Sequence, residues 1–422
     1  MAPSEKERIL MRMLIAALVL LSLPATLLAA DHWPEFRGPS GDGQAPDAKL
    51  PVRIDEQVVR WKTDIHGKGW SSPVVWENQI WLTTATVDGK KMSVLCVDRA
   101  SGEIVHDRVL IENQSPAFCH EMNSYATPTP VIESGRLYVH FGSYLTACLD
   151  TATAEVLWQR KDLHCDHHRG PASSPILYDG KLFVAYDGFD VQYVVALDKV
   201  TGKTLWKQDR DIDYGTENGD RMKAYCTGHV IEVNGQKQLI YPSAVATIAY
   251  DPDTGDSLWR VYHDGMNASA RPLYGKGLVF ITNGMGSMVA VRPDGKGDVT
   301  GTHIAWSDRK GVAKKSSQLL VDGLFYMISD DGVVSCRRPE TGEILWQRRA
   351  GGAFAASPIF ADGRIYLFST EGTILTIMPG EEYHPLAEGE LGDGFMASPA
   401  VVGNELILRD KSRLYLITNE KK

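Results

Sequence analysis

The sequence predicts an all-β protein, an eight-bladed β-propeller in which an N-terminal strand closes the last blade. Three observations predict it. The stretch Ala196-Leu-Asp-Lys-Val-Thr-Gly-Lys-Thr-Leu-Trp206 is a motif (small residue, Asp two later, Gly six later, Trp ten later) that recurs along most of the chain. Each copy follows a start rich in Ser, Ala and Pro that leads into two apolar strands, and the starts recur at roughly forty- to fifty-residue spacing, as four-stranded blades do. Glycine is 39 of 422 residues, and the longest helix-like apolar run lies at the N-terminus, which leaves short strands and many turns for the rest.

That first run is an address rather than part of the fold. Lys6, Arg8 and Arg12 precede an apolar stretch from Met13 to Leu28, broken by Ser22, Pro24 and Thr26 and followed by Ala29-Ala30. A basic start, a short apolar centre and small residues before a polar end describe an export signal, residues 1–30. The stretch is shorter than the ~20 residues of a spanning helix, so no transmembrane domain is expected after its removal, a retained anchor being the alternative. The expected location is the bacterial periplasm or an equivalent extracytoplasmic space. Residues 31–57 are then an extension packing on the propeller, 58–418 the single propeller domain, and 419–422 a tail.

The propeller begins with the orphan strand Val58–Ile65, which carries Trp61. Blade starts follow at Ser71, Ala126, Ser173, Cys226, Ser269, Ser316, Ala356 and Ala397. The eighth leads through Glu405–Leu408 to Arg413–Ile417 and lacks an outer strand, which Val58–Ile65 supplies; closure removes two sheet edges. Cys96, Cys148, Ala249 and Cys336 begin further copies of the motif, with His106 in place of the Trp in the first, Ala154 in place of the Gly in the second and Arg338 in place of the Asp in the last; Ala290 begins a copy stretched to Trp306, and Thr376–Leu386 is a degenerate one. Repetition marks Trp61, Trp158, Trp206, Trp259, Trp306 and Trp346 as structural, each ring covering a neighbouring blade and its N–H meeting a carbonyl there. Cys96, Cys148 and Cys336 share one strand slot and are expected to be buried thiols, as is Cys226. Cys119 and Cys165 precede the inner strands of consecutive blades, and a Cys119–Cys165 disulfide is expected.

The chain carries 44 basic and 53 acidic side chains, a net charge of −9, and no dense basic run, so nucleic acid is not an expected partner. Phosphate-loop, nucleophile-elbow and His-Glu-x-x-His motifs are all absent from the sequence.

The Ala-x-Asp-x-x-Thr-Gly-x-x-x-Trp repeat resembles that of the pyrroloquinoline quinone (PQQ) dehydrogenase-like propellers across residues 58–417. Trp33-Pro-Glu-Phe-Arg-Gly-Pro-Ser-Gly-Asp-Gly43, Cys119-His-Glu-Met-Asn-Ser-Tyr-Ala-Thr-Pro-Thr-Pro130 and Cys165-Asp-His-His-Arg-Gly-Pro-Ala-Ser-Ser-Pro175 look like exported PQQ-like repeat proteins of planctomycete-type bacteria. The resemblance implies the quinoprotein alcohol dehydrogenase-like fold, whose members include enzymes and the non-enzymatic propeller of the outer-membrane β-barrel assembly machinery. A quinoprotein resembling this fold would show adjacent cysteines over the quinone and a Glu/Asn/Asp calcium set. No two cysteines are adjacent here, and no calcium ligand carries over by motif.

In a propeller the connections between blades reach one face of the central funnel. They bring together His120, Glu121, Asn123 and Tyr125; His167, His168 and Arg169; Asp220, Arg221 and Lys223; and Asn267, Arg271 and Lys315, beside Trp70 and Phe395. Polar groups converging beside aromatic walls predict a ligand site, and the arginines favour carboxylate, phosphate or sulfate. His120, His164, His167 and His168 could ligate a transition metal, but carboxylate-neutralised loops are the simpler reading, and no metal is expected. The expected function is non-catalytic binding or scaffolding through this face, by a monomer, for an anionic small molecule, acidic sugar or protein segment. No cofactor is expected and no catalytic residue is assigned. The alternative is a quinone- or metal-dependent oxidoreductase, with PQQ and calcium in the funnel.

Overall fold

A computed structural model describes residues 32–419; the export signal expected at 1–30 and the residues beyond Asn419 lie outside them. Eight antiparallel sheets form an eight-bladed propeller. Blade 3 is typical, with strands Ile176–Tyr178, Lys181–Asp187, Gln192–Asp198 and Thr204–Asp209 in that order from axis to rim. The inner strands of the others are Val74–Trp76, Val131–Glu133, His229–Val233, Leu273–Gly275, Leu319–Val321, Ile359–Ala361 and Ala400–Val402. Blade 8 takes its outer strand from Val59–Asp64, antiparallel to Arg413–Thr418 with Trp61 opposite Leu416. The N-terminal strand therefore closes the ring as expected. Among the described residues no helix is long and apolar enough to cross a membrane.

The repeat motif has a physical reading at each position. In the third strand the small residue stands directly opposite the outer-strand Trp: Cys148 opposite Trp158, Ala196 opposite Trp206, Ala249 opposite Trp259, Cys336 opposite Trp346. The Asp closes the turn, as where Asp198 Oδ1 accepts from the Thr201 N–H and hydroxyl, both at 2.7 Å. The Gly lies at positive φ beneath the Trp of the preceding blade. A Cβ on Gly102, Gly202, Gly255 or Gly342 would come within 2.7 Å of Trp61, Trp158, Trp206 or Trp306, so only glycine fits.

Two of the departures from the motif belong to one interface. Blade 1 has His106, which stacks on Trp81 of its own blade at 5.6 Å. Blade 2, which that residue would cover, has Ala154 where the others have Gly, and Arg108 donates to the Ala154 carbonyl at 2.8 Å. With no indole overhead, a methyl group is tolerated.

Indole N–H groups tie blade to blade: Trp61 to Arg99, Trp158 to Lys199, Trp206 to Pro252, Trp306 to Pro339 and Trp346 to Gly380, each reaching a carbonyl at 2.8–3.1 Å. Trp259 departs, donating to Gln238 Oε1 of its own blade at 2.8 Å, because a strand of blade 5, Gly297–Asp298, pairs alongside it. Trp259 is fully buried whereas Trp206 is half-buried. Trp259→Ala should therefore cost about 3–5 kcal/mol in urea unfolding, and Trp206→Ala less; equal losses would contradict this packing.

Residues 32–54 run as a strap across the axis. His32–Trp33 adds to the inner strand of blade 1, and Pro34 O accepts from Ile132 N of blade 2 at 2.8 Å. Gln44–Ala45 runs parallel to the inner strand of blade 7. The strap then follows blade 7 outward, where Leu50 O and Pro51 O accept from Arg364 and Tyr366 at 3.2 and 3.1 Å.

Candidate functional site

The connections between blades are unequal. Those from blade 1 to blade 2 (113–130), 2 to 3 (161–175) and 3 to 4 (210–228) are long, whereas those from 6 to 7 (350–358), 7 to 8 (391–399) and 8 to 1 (65–73) are short. They enclose an axial bowl of about 460 Å³, a size typical of small-ligand sites. Every residue lining it lies outside the strands.

The floor of the bowl explains the Ser/Thr-rich blade starts. Seven hydroxyls accept a hydrogen bond from a backbone N–H of the preceding blade: Ser72 N to Thr129, Thr129 N to Ser174, Ser174 N to Thr227, Arg271 N to Ser317, Ser317 N to Ser357, Ser357 N to Ser398, and Ser398 N to Ser72, at 2.9–3.1 Å. The ring is interrupted at blade 5, where the corresponding residue is Arg271, whose N–H joins the ring while its side chain turns to the strap. All seven residues are buried, and all but Ser317 line the bowl. The proline that follows several of them needs no donor partner at the first position of a strand. Beneath the ring, Phe36 of the strap closes the axis.

Of the sequence-expected site residues, Trp70, His120, Asn123, Arg169, Asn267 and Lys315 line the bowl. Trp70 Nε1 donates to Met122 O at 3.2 Å, leaving its ring half-exposed beside Lys68. Arg169 pairs with Asp220 at 2.9 Å, so Asp220 stands behind the wall rather than on it. Lys315 pairs with Asp330 at 3.0 Å, and the amides of Lys314 and Lys315 donate to the same carboxylate. Lys314 lines the bowl without an ion pair among the described residues.

The remaining residues are placed elsewhere, each for a packing reason. Glu121 points to solvent and contributes its carbonyl to Lys68. Tyr125 is buried and donates to Ala117 O at 2.6 Å. His168 packs on Phe189, and Arg221 is exposed at the end of the short helix Gly219–Arg221. Phe395 is 1% exposed, inside the core between blades 7 and 8. His167 accepts from Ser143 N at 3.0 Å, and burial holds its pKa well below the ordinary value. Lys223 is buried against Asp187 O at 2.7 Å, and burial lowers its pKa.

Arg271 lies below the floor. Its guanidinium donates to Phe36 O at 2.5 Å and pairs with Glu35 at 2.8 Å, bordering a second cavity of about 360 Å³ on the other side of the strap. Anchoring the strap, not meeting a ligand in the bowl, is the role its contacts define. The Cys119–Cys165 bridge is not formed, and all six cysteines are free thiols. Cys165 is held on Ser143 and His167, its sulfur 3.5 Å from His167 Nε2, while Cys119 packs on Gly170 and faces Arg169 O at 3.7 Å. Burial pushes these thiols up to about 12 and about 11, so neither is a poised nucleophile.

The reading of loops alone overlooked Phe36, Tyr225, Asp330 and the hydroxyl ring. The ring had a signal in the repeated Ser-Pro and Thr-Pro pairs, read only as strand starts. The strap had one too, since Trp33–Gly43 is rich in glycine and proline.

The chemistry of the donor set bears on a quinone–calcium centre. Among the described residues lining the bowl Asp330 is the one carboxylate, and it is spent on Lys315 and two amides. No group of three or more His, Cys, Asp or Glu side chains among the described residues could hold a metal. The residues present do not fit a calcium ion in the bowl.

The family described as outer membrane protein assembly factor BamB matches residues 90–343 and 300–418. No curated protein sequence matches the chain. Among solved structures, quinohemoprotein alcohol dehydrogenase from Comamonas testosteroni is similar with a TM-score of 0.71 and 11% identity, over 93% of this chain and 81% of that one. A europium-containing methanol dehydrogenase gives 0.71 and 11%, over 92% and 98%. BamB from Moraxella catarrhalis gives 0.59 and 12%, over 85% and 99%. Likeness at this identity establishes the fold and leaves activity to the site.

Proposed function

The chain belongs to the family described as outer membrane protein assembly factor BamB, and from that premise we propose that it is an exported, non-catalytic binding protein whose axial bowl holds an anionic ligand. One observation carries the reading. The bowl wall brings Arg169, Lys314 and Lys315 together with one carboxylate, beside the half-exposed Trp70 and above a floor of hydroxyls. Such a surface binds; it offers no free carboxylate, poised thiol or metal set to move protons or electrons. The leader at residues 1–30 supports a place in the periplasm.

The quinoprotein reading is tested directly by adding PQQ and calcium to the purified protein. No bound quinone absorbance and no dye-linked alcohol oxidation is the expected result. Stoichiometric quinone with alcohol turnover would overturn the proposal. The anionic preference is tested by titration with digalacturonate, whose affinity should fall roughly tenfold in Arg169→Met combined with Lys315→Met, with thermal stability nearly unchanged because both side chains are partly exposed.

A further inference from the structure

We propose that the hydroxyl ring on the bowl floor is an oxyanion receptor, and that the ligand is an acidic saccharide whose carboxylate docks on it. The inference rests on the reading of the bowl as a ligand site and adds what the floor does and what it selects.

A hydroxyl has one proton to donate and lone pairs to accept. In each of the seven ring hydroxyls an acceptor position is taken by the neighbouring blade's N–H, at 2.9–3.1 Å. Among the described residues none of the seven donates to a protein acceptor. Their O–H groups are thus unspent donors on residues nine-tenths or more buried, such as Thr129 at 3% and Ser398 at 5% exposed. A buried donor without a partner costs free energy, and a ring of them around one axis is relieved together by an acceptor with several oxygens. Because the N–H groups polarise the hydroxyl oxygens, the donors strengthen cooperatively. The cations on the wall select a charged acceptor over a neutral one.

The body of the ligand follows from the wall. Asn267 and His120 offer an amide and an imidazole, and Asn267 Oδ1 is buried without a partner. With the face of Trp70 these are the groups a polyhydroxylated ring uses for hydrogen bonding and stacking. A peptide would need strand edges to pair with, and all the lining residues lie outside strands.

The test is calorimetric titration of the full mature protein with digalacturonate and with its neutral dimethyl ester. The acid should bind and the ester bind at least roughly tenfold more weakly. Thr129→Val keeps the shape and removes one donor, and should weaken binding roughly tenfold. Thr227→Val removes a second ring donor at constant shape and should weaken binding to a similar degree. If Thr129→Val does not fold, Thr227→Val decides alone. Unchanged affinity in the ring variants, with loss in Lys315→Met, would overturn the receptor and leave the bowl reading standing. Unchanged affinity in ring and wall variants alike would overturn both. Failure of digalacturonate to bind the parent protein, with an octaglutamate peptide bound instead, would overturn the saccharide assignment.

Discussion

Deleting Val58–Ile65 should abolish cooperative unfolding and drive the protein into aggregates. The strand is the outer edge of blade 8, joined to Arg413–Thr418 across the whole of its length. Without it the chain ends are no longer held in one sheet, so the first and last blades are free to part. The loss goes beyond one row of hydrogen bonds. Trp61 covers Gly102 of blade 1 and donates to Arg99 O at 2.9 Å, and Thr63 donates to Gly102 O at 2.5 Å. The core between blades 8, 1 and 7 includes Leu414, Leu416, Val75 and Leu95, with Val58, Val59 and Trp61 packed against it. Opening it and exposing an apolar strand edge removes a term comparable with the whole stability of a domain, about 5–15 kcal/mol. Size-exclusion chromatography and urea unfolding check the outcome. A truncated protein that elutes as a monomer and melts at the parental temperature would refute closure by this strand.

Such an outcome is readable from sequence because a repeat states its own rule several times. The pairing of small residue and Trp, the Asp turn and the Gly beneath the indole each recur, so that an exception such as His106 with Ala154 is visible as one. The site has no such redundancy. The bowl residues are spread over eight connections, and spacing cannot say whether a side chain turns to the axis, as Arg169 does, or into the core, as Phe395 does. Arg271 shows the difficulty best. It stands in the right connection with the right charge, yet its partner Glu35 lies more than two hundred residues earlier in a strap whose path no periodicity encodes. The hydroxyl ring was half legible: the Ser and Thr at blade starts were conspicuous, but their role depends on the neighbouring blade's N–H and emerges only when the ring closes.

Arg271→Met should destabilise the protein by about 3–5 kcal/mol, the cost of leaving one member of a buried ion pair alone. Arg271 is 3% and Glu35 12% exposed, and the guanidinium also holds Phe36 O at 2.5 Å and lies under Gly41, where a Cβ would meet it at 2.5 Å. One substitution thus unseats the strap at three points. The effect should depend on pH in a definite direction. Burial raises the Glu35 carboxyl above its ordinary pKa, and the charge and hydrogen bond of Arg271 oppose that rise. Removing Arg271 removes the opposition, so the folded-state pKa of Glu35 climbs further above the unfolded value. A carboxyl with a raised folded pKa binds its proton more readily when folded, so its contribution is favourable below the unfolded pKa and is lost as pH increases through the folded one. The deficit of Arg271→Met should therefore be small near pH 4 and full near pH 8. Adding Glu35→Gln should remove the pH dependence and restore part of the stability. Urea unfolding of the single and double variants across this range decides the matter. A deficit independent of pH would mean that lost packing of the strap, rather than the stranded charge of Glu35, sets the cost.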